Sequence, residues 1–139
     1  MRATLSMALM ALGYAVLCAQ SAGKTSWDGV YSQAQARRGE AAYSKSCAGC
    51  HGAELMGADT APSLTGPEFN AGWNDLSTDD LAERIRATMP ADAPGSLSRN
   101  DVADIIAFIF ARDGFPAGAG DLPAASPELK QIKIVAQKP

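Results

Sequence analysis

The sequence is poor in cysteine, histidine and aromatic residues. It has three cysteines and one histidine in 139 residues, and Phe, Trp and Tyr make up 6% of the chain. A secreted domain held together by disulfides would carry more cysteines. Lys and Arg number 12 against 15 Asp and Glu, with no basic stripe, which argues against a nucleic-acid partner. A single histidine also excludes any site that needs two of them.

Residues 1–23 have the order of a secretory signal peptide. A short basic start at Arg2 is followed by an apolar run from Leu5 to Leu17 and then by small residues. Candidate cleavage points lie after Ala19, Ser21 and Gly23. Cleavage leaves about 115 residues, enough for one compact domain. Without Arg2, 11 basic side chains face 15 acidic ones, which gives a net charge of −4.

Two other interpretations of this segment are a membrane anchor and a lipid-modified cysteine at Cys18. The apolar run is shorter than the ~20 residues that span a bilayer, and no strongly basic flank follows it. Leu17 is a poor residue before a lipid-modified cysteine, where processing favours a small side chain. We therefore expect cleavage, export to the periplasm and no membrane span in the mature chain.

The exported chain divides into three parts. Residues 24–30 form a polar leader, residues 31–115 the predicted domain, and residues 116–139 a tail rich in Ala and Pro. We expect the tail to be extended and to lie along the domain surface. A docking strap on a larger subunit and a disordered end are the alternatives for it.

The fold class is predicted to be all-α, with three main helices and long loops. Residues 33–46 are rich in helix-forming residues and contain no proline. A second helix begins near Ser77, where Ser77-Thr78-Asp79-Asp80 is a capping-box variant, and ends before Pro90. A third runs from its cap at Ser98 to Gly114, because its apolar residues recur with helical period. Those residues are Val102, Ile105, Ile106, Ile109 and Phe110.

The sequence Cys47-Ala48-Gly49-Cys50-His51 predicts covalent haem attachment. Two thiols separated by two residues can add to the two vinyl groups of one haem, and the adjacent imidazole can ligate its iron. A disulfide between Cys47 and Cys50 would close a tiny loop and stabilise little. A thioredoxin-like pair needs a βαβ setting, whereas strand signals are missing here. A zinc site needs four ligands, and the motif supplies three.

Methionine is the candidate ligand for the opposite side of the iron. Met56 follows His51 by only five residues, too few to lead the chain around the ring. Met89 follows it by thirty-eight residues, after a capped helix and directly before Pro90. We predict Met89 as the distal ligand. The alternative is a core methionine at a helix end.

Around these motifs the chain resembles class I c-type cytochromes. The resemblance extends from Tyr31 to Phe115. Gly39 and Tyr43 resemble that family's N-terminal helix, and Ile105, Phe108 and Ile109 resemble its C-terminal helix. It implies a cytochrome c fold around one covalent haem c, with the two helices crossing at Gly39.

The resemblance also implies roles for the segment Ala61-Pro62-Ser63-Leu64, which is similar to the family's proline segment. The Pro62 carbonyl would accept a hydrogen bond from the ring N–H of His51, and Leu64 would press on the haem. Such a bond fixes the tautomer of the ligating imidazole.

Further motifs resemble the cytochrome domains associated with quinoprotein alcohol or sugar dehydrogenases. They are Gly29-Val30-Tyr31, Trp73-Asn74, Thr88-Met89-Pro90, the Pro94–Ser98 segment and Gly114-Phe115-Pro116. This likeness implies a non-enzymatic carrier that takes electrons from a pyrroloquinoline quinone enzyme and passes them to an oxidase or another cytochrome. The Trp73 indole would donate to a haem propionate, unless Trp73 is a packed loop tryptophan. Arg84 and Arg86 would neutralise propionates, unless they are solvated helix residues.

Two other functions fit the motif less well. A haem enzyme or gas sensor with an open distal site would leave Met89 unbound, be five-coordinate and bind carbon monoxide. A binding module without haem would be colourless when exported.

Overall fold

The computed structural model describes residues 23–59 and 61–139. Expectations for the signal peptide before Gly23, including those for Cys18, lie outside these residues. Six helices and two short strands are present among the described residues. In chain order they are β1 (Lys24–Thr25), α1 (Gln33–Ser46), α2 (Ala48–His51), α3 (Gly66–Trp73), α4 (Thr78–Thr88), α5 (Arg99–Arg112), α6 (Ser126–Leu129) and β2 (Ile132–Lys133).

The three predicted helices are α1, α4 and α5, and their boundaries follow their caps. The Ser32 hydroxyl accepts from the Gln35 N–H at the start of α1. Full capping boxes begin α4, between Ser77 and Asp80, and α5, between Ser98 and Asp101. The expectation of a mostly helical cytochrome-like architecture is therefore confirmed.

Helices α1 and α5 cross at Gly39, as the resemblance implies. A Cβ on Gly39 would lie 1.8 Å from the backbone oxygen of Asp104 and 3.0 Å from the Phe108 Cβ. Beside the crossing, the rings of Tyr43 and Phe108 pack with centroids 5.3 Å apart. The missing side chain allows the helix backbones to touch.

Helix α3 lies within residues 52–75, which the sequence predicts to be rich in loops because glycine and proline recur there. Gly66 and Pro67 interrupt the sequence, but both occupy the first turn of α3, where the missing N–H of proline costs no intrahelical bond. Phe69 is the buried residue of α3. The loop prediction for these residues is therefore wrong.

The tail lies against the domain and is part of its core. Its buried apolar side chains are Leu122, Leu129, Ile132 and Ile134. Gln35 on α1 makes two bonds to the Leu122 backbone, from Nε2 to the oxygen at 3.0 Å and from the Leu122 N–H to Oε1 at 2.6 Å. The Thr78 hydroxyl donates to the Ile132 carbonyl at 3.0 Å. We name residues 116–135 the strap.

The strap also pairs with the leader. Strands β1 and β2 are parallel, with Lys24 opposite Ile132, and the Trp27 indole N–H donates to the Val135 carbonyl at 2.8 Å. Leader and strap therefore close the domain together. No helix within residues 23–59 and 61–139 has the length and apolar character to cross a membrane.

Candidate functional site

The Cys-x-x-Cys-His motif forms a single helical turn at the end of α1. Cys47 ends α1, with its N–H bonded to the Tyr43 carbonyl at 2.8 Å, and begins α2. The His51 N–H returns to the Cys47 carbonyl at 3.0 Å. Residues three apart on a helix lie on one face, so the turn brings both thiols to one side. Cys47 is half-buried and Cys50 is exposed, and both are free thiols.

His51 is buried beneath this turn, with one ring nitrogen held by the backbone. Its exposed fraction is 7%, and its Nδ1 lies 2.9 Å from the Pro62 carbonyl oxygen. A carbonyl can only accept, so Nδ1 carries the proton and donates. The tautomer is then fixed with Nε2 unprotonated, as metal ligation requires. This is the contact between His51 and Pro62 that the family resemblance implies.

A tight loop carries Pro62 back to His51. The Gly57 N–H bonds to the His51 carbonyl at 2.9 Å, and the Leu64 N–H bonds to the Leu55 carbonyl at 2.8 Å. A Cβ on Gly57, where φ is +76°, would lie 2.5 Å from the Ala61 oxygen. Glycine thus permits the close return of the chain.

Two anchors of this loop were not predicted from the sequence. Leu55 is fully buried, and the Tyr43 hydroxyl donates to the Gly52 carbonyl at 2.7 Å. Burial raises the pKa of Tyr43 to about 12, which keeps its hydroxyl protonated as a donor. Gly52 and Gly57, five residues apart after the motif, were the available signal for such a loop.

The thiol chemistry argues against the other interpretations of the motif. Burial raises the pKa of Cys47 to about 11, so this sulfur is protonated at neutral pH, whereas thiol–disulfide exchange needs a thiolate. Among the residues that the structure describes, no three His, Cys, Asp or Glu side chains converge to hold a metal ion. A redox dithiol and a zinc site both fit poorly.

The two methionines have different surroundings. Met56 projects into solvent with 71% of its surface exposed. Met89 is half-buried and follows α4 in an extended conformation, its N–H bonded to the Ile85 carbonyl at 2.8 Å. Residues 91–96 after it are all exposed, whereas Leu97 packs against the core. Of the two methionines, Met89 is the less exposed.

The remaining predicted site residues are placed as follows. Leu64 and Trp73 are half-buried and pack on the edge of the core, and the Trp73 ring lies 6.2 Å from that of Phe69. Arg84 is exposed. Arg86 pairs with Glu83 at 2.8 Å, so its charge is already engaged on α4.

The donor set fits a covalently bound haem. One turn supplies two thiols, at least one of them protonated, and a buried imidazole with one ring nitrogen held and the other available. The half-buried Leu64, Trp73, Ile85 and Leu97 are apolar and pack against the core without being covered by it. A macrocycle needs such apolar side chains beside its ligands.

Comparison with known proteins agrees with this chemistry. The family model of the cytochrome c oxidase, cbb3-type, subunit III matches residues 34–109, more than half of the chain. A search of curated proteins finds no match. A chain in the crystal structure of the sulfane dehydrogenase SoxCD from Paracoccus pantotrophus has a similar fold, with a TM-score of 0.52 and 19% identity. That match covers 94% of this chain and 68% of the other. Cytochrome c domains carry haem and transfer electrons, and this chain belongs to the cbb3-type subunit III family as a class I c-type cytochrome.

Proposed function

We propose that the protein is a periplasmic mono-haem electron carrier. Cys47 and Cys50 would hold the haem by thioether bonds, and His51 and Met89 would ligate its iron. The observation that carries this proposal is the bond from His51 Nδ1 to the Pro62 carbonyl, which leaves Nε2 unprotonated and available to ligate a metal. The bound haem supplies one-electron chemistry at its iron.

The protein's residues would keep the iron site constant between oxidation states. Pro62 holds the imidazole tautomer and the ring orientation. Leu55, fully buried, anchors the loop from inside, and the half-buried Leu64 is bonded to it through the backbone. Axial methionine raises a haem potential. A site with both axial positions filled suits electron transfer rather than binding of small molecules.

The donor and acceptor are also part of the proposal. The motifs shared with cytochrome domains of quinoprotein dehydrogenases favour a pyrroloquinoline quinone enzyme as donor and an oxidase or another cytochrome as acceptor. Stopped-flow mixing with a reduced quinoprotein alcohol or sugar dehydrogenase tests the first step. Reduction no faster than by a dehydrogenase of another cofactor class would remove this donor from the proposal.

Ligation is tested by the absorption spectrum of the exported, oxidised protein. An iron–methionine bond gives a weak long-wavelength band, which Met89→Ala should abolish. Met56→Ala is the matched control, since Met56 is exposed, and should leave the band intact. The reverse result would make Met89 the wrong ligand. A five-coordinate wild-type spectrum with carbon monoxide binding would favour a sensor or peroxidase-like enzyme instead.

Attachment is tested by mass spectrometry of the exported product. One haem per chain, with neither Cys47 nor Cys50 open to alkylation, is the expected result. An apoprotein mass with two alkylatable thiols would overturn the proposed function.

A further inference from the structure

A polar pair joins α3 to the end of α5, on residues to which the proposed function assigns no role. Asp113 caps the C-terminus of α5. Its Oδ1 accepts from the Gly66 N–H at 2.8 Å and from Asn70 Nδ2 at 3.2 Å. One carboxyl oxygen therefore ties the first turn and the middle of α3 to α5.

The other two oxygens of the pair have no hydrogen-bond partner in the part of the chain that the structure describes. Asp113 Oδ2 and Asn70 Oδ1 are both buried and make no hydrogen bond among the described residues. Both are acceptors when Asp113 is ionised, and a buried acceptor without a donor is costly. They belong to the two side chains that the bond from Asn70 Nδ2 to Asp113 Oδ1 already joins. A proton added to Asp113 Oδ2 would make that oxygen a donor to Asn70 Oδ1, so one proton could satisfy both oxygens.

We propose that Asp113 is protonated from solvent at Oδ2 and that this O–H donates a hydrogen bond to Oδ1 of Asn70. The carboxylic acid and the amide then make two opposed hydrogen bonds, O–H to O and N–H to O, and both unpartnered oxygens are satisfied. This neutral pair fastens α3 to α5, and it weakens when the proton leaves. The inference does not depend on the proposed function, because neither residue lies near the predicted iron ligands in sequence.

The surroundings of Asp113 favour the neutral form. Burial raises its pKa above the ordinary 3.8, although the bonds from Gly66 and Asn70 act in the opposite direction. A negative charge at the C-terminus of a helix is also unfavourable. A groove of about 600 Å³ lined by both side chains opens to solvent and allows the proton to exchange.

Few charges on the packed elements bear on this carboxyl. Arg112 on α5 pairs with Glu54 of the preceding loop. Glu68 on α3 is exposed, and so is Lys138 beyond the strap, while the tail residues lining the groove are uncharged. Since folding raises the pKa of Asp113, this carboxyl loses its proton at a lower pH in the unfolded chain than in the folded one. The contribution of this pair to stability is therefore greatest below pH 3.8 and falls as pH rises through the raised value.

Carbon-13 NMR of the full exported chain tests the proton directly. The Asp113 carboxyl should titrate above the ordinary 3.8. Titration at or below that value would overturn the proposal, because an ionised Asp113 cannot donate to Asn70.

Urea denaturation at several pH values tests the consequence. Asp113→Asn supplies an N–H where the acid has its O–H, and the amide does not ionise. The urea midpoint of this variant should therefore lack the fall with rising pH that we expect for the wild type. Asn70→Asp places two carboxyls together and should steepen that fall. Asp92→Asn, in the exposed loop, is the control and should keep the wild-type profile. An Asp113→Asn profile parallel to wild type would overturn the proposal.

Discussion

At the scale of single residues, the helix crossing depends on the absence of one side chain. A Cβ on Gly39 would lie 1.8 Å from a backbone oxygen, which cannot move without shifting α5. We expect Gly39→Ala to lower the free energy of unfolding by about 3 kcal/mol, as overpacking a core does. Urea denaturation of the matured protein measures the change.

Gly72 is the matched control for this substitution. It is also a helical glycine, but a Cβ there would meet nothing within 4 Å. Gly72→Ala should be neutral or stabilise the protein by up to about 1 kcal/mol, because alanine is the better helix former. Equal losses at both positions would show that the effect comes from helix propensity and not from the crossing.

The sequence identified the motif residues because their chemistry is local. Cys47, Cys50 and His51 lie within five residues of one another, and one helical turn suffices to bring them together. The bond between Tyr43 and Gly52 and the burial of Leu55 could not be predicted in this way. They depend on how the following loop returns, which is set by contacts between residues far apart in sequence and not by spacing.

At the scale of secondary-structure elements, the strap supplies core side chains from outside the predicted domain. Ile134 is fully buried, whereas its neighbour Lys133 on β2 is exposed. We expect Ile134→Ala to cost about 2–4 kcal/mol of the unfolding free energy, since it leaves a cavity. Thermal or urea unfolding measures the loss.

Lys133→Ala is the control within the same strand. It removes an exposed side chain and keeps the backbone pairing of β2 with β1. Lys133→Ala should change the free energy of unfolding by no more than about 0.5 kcal/mol. If Ile134→Ala were equally harmless, the strap would not belong to the cooperative core.

The elements found from sequence are those with strong local signals. Helices α4 and α5 carry capping boxes, and α5 adds a clear apolar period. Helix α3 was missed because glycine and proline, here Gly66 and Pro67, are typical of turns. Both residues can also occupy the first turn of a helix, as they do in α3. The buried residues of the strap follow no period, so only their tertiary contacts identify them as core.

At the scale of the whole molecule, charge is unevenly distributed along the chain. Residues 47–98, which include the motif and Met89, carry eight carboxylates and two arginines, a balance of six negative charges. Residues 24–46 carry four basic and two acidic side chains. Haem propionates would add further negative charge. A partner that docks near the proposed haem would then meet a negative potential.

Small redox reagents of opposite charge probe this potential. The rate of electron exchange with a cationic ruthenium hexaammine should fall several-fold as salt is added, because attraction is screened. The rate with anionic ferricyanide should rise under the same conditions. If both reagents respond alike, the charge near the electron-exchange site does not follow the sequence distribution.

The parallel pairing of β1 with β2 places residues 24 and 132 side by side, although 107 residues lie between them. A linker that starts after residue 139 keeps Ile134 in the core, and because the strands are parallel it must return to the beginning of β1 as a crossover of about a dozen residues. The polypeptide could then be circularly permuted, with new termini opened in the exposed segment 91–96. The order of the elements along the chain could thus be changed while their arrangement in space is kept.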